Sequence, residues 1–126
     1  GGEEEILKLN TLQQNFSNVT VIAGKLKFTQ ELSLIQHLNV MLSMDSGNGH
    51  IAAIYGVSVV TLWGQTHPYA GFVPFNQPLE NSLIPDLDKY PFLPTSVYGN
   101  KIIEGYGDAM RSIQPQQIVN KINELL

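Results

Sequence analysis

Six consecutive positions, Asp45-Ser46-Gly47-Asn48-Gly49-His50, hold a carboxylate, a hydroxyl, two glycines, an amide and an imidazole between two apolar stretches. If residues 40–44 form a strand and 48–55 a helix, the amides of Gly47, Asn48 and Gly49 point out of the helix N-terminus. Unpaired donors and the helix dipole there favour an anion such as a phosphate. Glycine at 47 and 49 would let a phosphate approach the backbone, and Ser46 adds a hydroxyl donor. His50, four residues after Ser46, falls on the same side of the first turn. Asp45 would repel a phosphate, so its carboxylate suits sugar hydroxyls, two of which it can accept from at once. A purely structural reading stands beside this one: Ser46 or Asp45 as an N-cap, glycines for close packing, and His50 a hydrogen-bonded structural histidine.

The next turn favours the ligand reading. Gly64-Gln65-Thr66 follows the apolar run VSVVTLW (57–63), so small polar turns close two successive predicted strands. The carboxyl ends of the strands are the usual ligand edge of an open α/β sheet. His67 is read as a solvated loop residue and His37 as a structural one. Gly47-x-Gly49-x-x-Ala52 formally matches a dinucleotide fingerprint, but it does not follow the first predicted strand, and residues 70–75 contain no acid. Met44 stands where a nucleophile elbow needs its first glycine. Asp45, Ser46 and His50 are too close in sequence to form a triad, and three scattered histidines give no metal-ligand spacing.

The elements that must position these residues can be read from periodicity. Residues 4–15 and a segment starting at Thr29 have helical patterns, while NVTVIAG (18–24), 39–44 and 57–63 read as strands. Residues 48–55 read as a helix stopped by Gly56. Three strands alternating with helices predict an α/β fold with a parallel sheet, and their apolar runs predict burial on both faces. All seven prolines lie between residues 68 and 115, so 68–113 should be largely irregular. Its seven aromatic residues argue for order, with TSVYG (95–99) read as a short strand. Pro115 at a first helical position, followed by Ile118, Val119, Ile122, Leu125 and Leu126, predicts a closing helix.

Length, 126 residues, fits one domain. Charged residues make up 14%, against roughly 25% in an ordinary soluble domain, so part of the surface should normally be covered. Net charge is −4 and the seven basic residues form no stripe, which argues against nucleic acid as a partner. With no cysteine there is neither a disulfide nor a thiolate metal site. The apolar stretch 51–63 is too short to span a bilayer.

Residues 24–68 resemble the C-terminal half of glycosyltransferase family 9, the ADP-heptose:lipopolysaccharide heptosyltransferase group. The marker is an Asp-Ser/Thr-Gly-x-x-His turn, a helix, an apolar strand and Gly-x-Thr, here Asp45, Ser46, Gly47, His50, Ser58 and Gly64-Gln65-Thr66. The segment DAMRSIQPQQIVNKINELL (108–126) is similar to the family's closing segment. The chain departs from the pattern at Asn48-Gly49 and lacks the cysteines that several members carry before the final helix.

The resemblance implies the donor-binding half of a two-domain GT-B enzyme: a partial Rossmann-like domain over residues 1–126, with the acceptor domain outside this sequence. It implies a nucleotide sugar, ADP-heptose or a similar one, as donor, a lipopolysaccharide-type acceptor, no metal or cofactor, and a cytoplasmic site at the inner membrane. The catalytic base is implied in the other domain, so no catalytic residue is expected here. Asp45, Ser46, Gly47, Asn48, Gly49, His50 and Thr66 are the implied donor-binding set. Leu26 is placed against adenine, and Glu3 or Glu4 near the ribose. Gly1-Gly2 read either as the end of a loop or as residues foreign to the natural chain. A non-catalytic nucleotide-binding or interaction domain is the alternative. An incomplete domain leaves a sheet edge uncovered, so the isolated chain is expected to self-associate.

Overall fold

The computed structural model describes residues 2–126; Gly1, one half of the expected Gly1-Gly2 loop, lies outside the described residues. Two compact units divide the chain, residues 1–34 and 35–126.

In the first unit, α1 (Glu3–Asn15) begins with three glutamates, whose charge complements the positive helix end, and it buries no residue. The expected strand at 18–24 does not form. Val19 N–H donates to Phe16 O and Lys25 N–H to Ile22 O, so the segment is turned at both ends. The N–H of buried Val21 donates to Gln13 Oε1 at 2.6 Å. A β-branched run becomes a strand only where a neighbour completes its ladder, and here a side chain takes that role. Helix α2 (Phe28–Ile35) follows, with the Lys27 amide donating to Gln30 Oε1 at 2.9 Å.

The second unit is built on β1 (Val40–Met44), α3 (Gly47–Ile54) and β2 (Ser58–Leu62). The two strands are parallel, paired from Val40↔Ser58 to Met44↔Leu62. A two-residue strand, β3 (Ser82–Leu83), adds to the other side of β2 and makes the sheet order β1-β2-β3. The fold is therefore α/β with a three-stranded parallel sheet, as expected, but the third strand comes from the proline-rich stretch. Residues 95–99 form turns instead of the expected strand, with Gly99 N–H donating back to Ser96 O.

Burial on both faces holds for central β2, where Val59, Val60 and Thr61 are buried, and Trp63 beyond it is fully buried. It does not hold for β1, which exposes Leu42 and Met44. Among the described residues β1 has a strand neighbour on one side only. The core joins Ile35, Ala52, Ala53, Val57 and Val59, with Leu38, Met41 and Ile51 against it. Ala52 and Ala53 are small enough to bring α3 close to the sheet. Gly56, at φ +78°, ends that helix in a left-handed turn, its N–H on Ala53 O and that of Val57 on Ala52 O.

The irregular stretch is ordered by its aromatics. Tyr90, Leu93 and Ala109 form a second buried cluster with Tyr106 against it, and the Tyr90 and Tyr106 rings meet edge-on at 5.2 Å. The closing helix α4 (Pro115–Leu125) opens with a reciprocal Gln114–Gln117 capping box and packs on β1 and β2. No helix among the described residues is long and apolar enough to cross a membrane.

Gln77 supplies what β3 is too short to give. Its Oε1 accepts from Val59 N–H at 2.8 Å and its Nε2 donates to Val57 O at 3.2 Å. The side-chain amide thus replaces a ladder neighbour along the first half of β2. Gln77→Ala should leave these groups unpaired beside buried Val57 and Val59 and cost about 1–3 kcal/mol. Urea unfolding checks it; an unchanged midpoint would show that solvent substitutes fully for the amide.

Candidate functional site

Because Met44 pairs with Leu62, β1 and β2 end level, and the two turns that follow leave the sheet side by side. Asp45 and Thr66, 21 positions apart, meet there: Thr66 Oγ1 donates to Asp45 Oδ2 at 2.8 Å. A cleft of about 290 Å³ opens at this point, with Met44, Asp45, Leu62, Gly64, Gln65 and Thr66 along one side. Tyr98, Gly99 and Met110 complete it. Asp45 is its one charged lining residue. A cleft with a carboxylate and no cation suits neutral hydroxyls better than phosphate oxygens.

Ser46 is the N-cap residue of α3, but its side chain makes no capping bond. Its Oγ lies 3.1 Å from Ser43 Oγ. Asp45 turns to Thr66 instead. Of the purely structural reading, the side-chain cap does not form, since neither of these two side chains bonds to the first turn of the helix. Gly47 and Asn48 are exposed at the first turn, leaving its amide end open.

Gly49 differs from the expectation of an open glycine. Its N–H already donates to Ser46 O at 3.2 Å, and it is buried. A β-carbon there would sit 3.0 Å from Ser43 Oγ and 3.5 Å from Val59 Cγ1. Gly49 therefore lets α3 approach the sheet, whereas at Gly47 a β-carbon would meet nothing within 4 Å. His50 is half-buried on the same helix. Of the residues singled out in the sequence, Asp45 and Thr66 line the cleft, while Ser46 to His50 flank it from α3. Leu26 is half-buried in the first unit, as Glu3 and Glu4 are exposed there, and none of the three lines this cleft.

His67 is not the solvated loop residue expected from its neighbours. It is half-buried, its Nδ1 accepts from Tyr69 N–H at 3.2 Å, and so it caps the single 3-10 turn Pro68–Ala70. Tyr98, Gly99 and Met110 escaped the sequence reading because nothing local ties them to residue 45. One signal was available: the glycine after Tyr98. Gly99 has φ +64°, and a β-carbon on it would fall 2.9 Å from Thr66 Cγ2 and 3.0 Å from the Gln65 carbonyl carbon. Together with Thr95 N–H donating to Gln65 O at 3.0 Å, this seats the 95–99 loop against the 64–66 turn.

Comparison of the sequence with known proteins gives the family in which these two turns occur. The family model of glycosyltransferase family 9 (heptosyltransferase) matches residues 1–93, and the chain belongs to that family. It is also 29% identical over 130 residues to lipopolysaccharide heptosyltransferase 2 of Escherichia coli (strain K12). That match covers 99% of this chain and 33% of the relative, so the chain spans about a third of the relative's length. No solved structure matches the chain significantly.

Gly99→Ala tests how the cleft is held. The added methyl must displace the Thr66 side-chain methyl and press on the Gln65 carbonyl, and φ +64° strains any residue with a β-carbon, for a combined cost of about 1–3 kcal/mol. Amide exchange at residues 64–66 should accelerate in this variant ahead of exchange in β1. Unchanged protection there would show that the loop does not support the turn.

Proposed function

We propose that the cleft at Asp45 and Thr66 receives the sugar of a nucleotide diphosphate sugar, with ADP-heptose the foremost candidate, in an enzyme that transfers heptose to a lipopolysaccharide-type acceptor. The observation that carries this reading is the Asp45–Thr66 pair, held across two turns in a cleft whose lining has no cation. Membership of the family supplies the reaction class. The relative's name, lipopolysaccharide heptosyltransferase 2, supports the acceptor class.

The division of labour follows from charge. Asp45 keeps Oδ2 on Thr66 and has Oδ1 to accept a sugar hydroxyl, while Thr66 Oγ1, having donated its proton, can itself accept one. The diphosphate belongs at the open first turn of α3, on the Gly47 and Asn48 amides with the Ser46 hydroxyl, where the helix dipole favours negative charge. The bare Cα of Gly47 allows a phosphate oxygen to come within bonding distance of the backbone. His50 sits one turn into the same helix, in reach of the same group. The chain's own residues thus bind and orient the donor, and the proton transfer that activates the acceptor is assigned to residues outside these 126.

In the full-length enzyme, Asp45→Ala should weaken transfer from ADP-heptose by about tenfold or more, since a hydrogen bond to a charged group contributes about 1.5–3 kcal/mol. Binding of free ADP, which has no heptose, should change little. Gly47→Val should impair both. Donor kinetics and ADP titration calorimetry separate the cases: equal losses of ADP and donor in Asp45→Ala would move that residue to the phosphates or to a structural role. Absence of transfer from any nucleotide sugar would overturn the reading as a whole.

The same framework accounts for the expected self-association of the 126-residue chain by itself. The outer edge of β1 is unpaired by any strand among the described residues, and Leu42 and Met44 stand exposed beside it. Analytical ultracentrifugation should show mass rising with concentration; a strict monomer at high concentration would mean that this edge is protected in solution.

A further inference from the structure

A second cavity, of about 370 Å³, lies at the opposite end of β2, where Gly56 and Ser58 lead into the strand. Its size falls within the ~300–1,000 Å³ of small-molecule sites. Nothing in the reading of the Asp45 cleft uses it, and the two share no lining residue.

Its chemistry is unusual for a surface depression. Asn81 lines it with only 4% of its surface exposed, and its side-chain amide has no hydrogen-bond partner among the described residues. A buried amide is costly unless something bonds to it. Ser58 and Asn76 line the same cavity with side chains that have no hydrogen-bond partner among the described residues, and Asn76 is held in the left-handed region at φ +55°. Opposite this polar set stand Phe75 and Ile54, exposed by 75% and 74%. No charged side chain lines the cavity.

We propose that this cavity is a binding site for an uncharged pyranose ring, separate from the donor cleft. The absence of charge disfavours phosphates, carboxylates and amines. The uncompensated amides and hydroxyl disfavour a purely apolar occupant, because they would stay unpaired against it. A sugar ring answers both: its axial C–H face packs on an aromatic ring such as Phe75, and hydroxyls around its edge bond to amides that can donate and accept at once. Groups spread around the rim, on β2, on the 75–77 turn and on Asn81, match hydroxyls on all sides of a ring better than the two polar edges of a nucleobase.

Saturation-transfer NMR on the protein with methyl α-D-glucopyranoside as probe, and adenosine as comparison, tests this. Transfer to the glycoside ring protons is expected. It should weaken about tenfold in Phe75→Ala, a substitution at an exposed position that leaves the fold intact by circular dichroism, and persist in Asp45→Ala. No transfer to the glycoside, transfer to adenosine instead, or transfer unchanged in Phe75→Ala would overturn the proposal. So would a signal that falls as much in Asp45→Ala as in Phe75→Ala, since that would place the sugar in the other cleft.

Discussion

Parallel pairing of β1 with β2, in a register that ends both strands at the same level, is the constraint on which the rest of the second unit depends. It forces the turns after Met44 and Leu62 to emerge together, and so makes a contact between Asp45 and Thr66 available at all. A slip of one residue would reverse the faces of every side chain on the slipped strand and carry Asp45 away from its partner. The register in turn relies on α3, the crossover between the strands, lying close to the sheet. Buried Gly49 and the pair Ala52-Ala53 make that approach feasible. One glycine thus serves the chemistry indirectly, by bringing the helix that follows the acidic residue to the right depth.

How much of this was legible in the sequence varied with the range over which each feature is decided. β1, α3 and β2 are specified by short local patterns: apolar runs, a small polar turn and a glycine stop at Gly56. These gave the parallel α/β class and the two residues, Asp45 and Thr66, that meet at the ends of its strands. The segment 18–24 misled because its β-branched residues satisfy strand propensity without a neighbour to pair with, and propensity alone does not form a ladder. Conversely Ser82-Leu83, two residues in a proline-rich stretch, became a strand because β2 already offered an edge to which their backbone could bond. Tertiary context decided both cases.

The site shows the same division. Residues contributed by the strand ends were readable, whereas Tyr98, Gly99 and Met110 come from a segment whose path is fixed by aromatic packing and by a single bond between Thr95 and Gln65. No spacing rule links them to residue 45. Gly49 shows the reverse limitation: glycine beside a polar turn has two physical explanations, ligand approach and helix packing, and only the distance to Ser43 separates them. Family 9 membership agrees with the local motif because the motif itself sits where pattern is strongest.

Gln77 has a consequence for how the sheet can grow. A parallel strand extends its neighbour one residue at a time, and nothing in the backbone of β2 itself tells such growth where to stop. By occupying Val57 and Val59 with both ends of one amide, Gln77 works as a chain terminator in the polymer chemist's sense: an incoming strand must first displace two satisfied bonds before it gains its own. The two flanks of this small sheet are therefore unequal in kind. One is capped by a side chain that mimics backbone, and the other has no strand beside it among the described residues, so the two edges would meet an incoming strand on unequal terms.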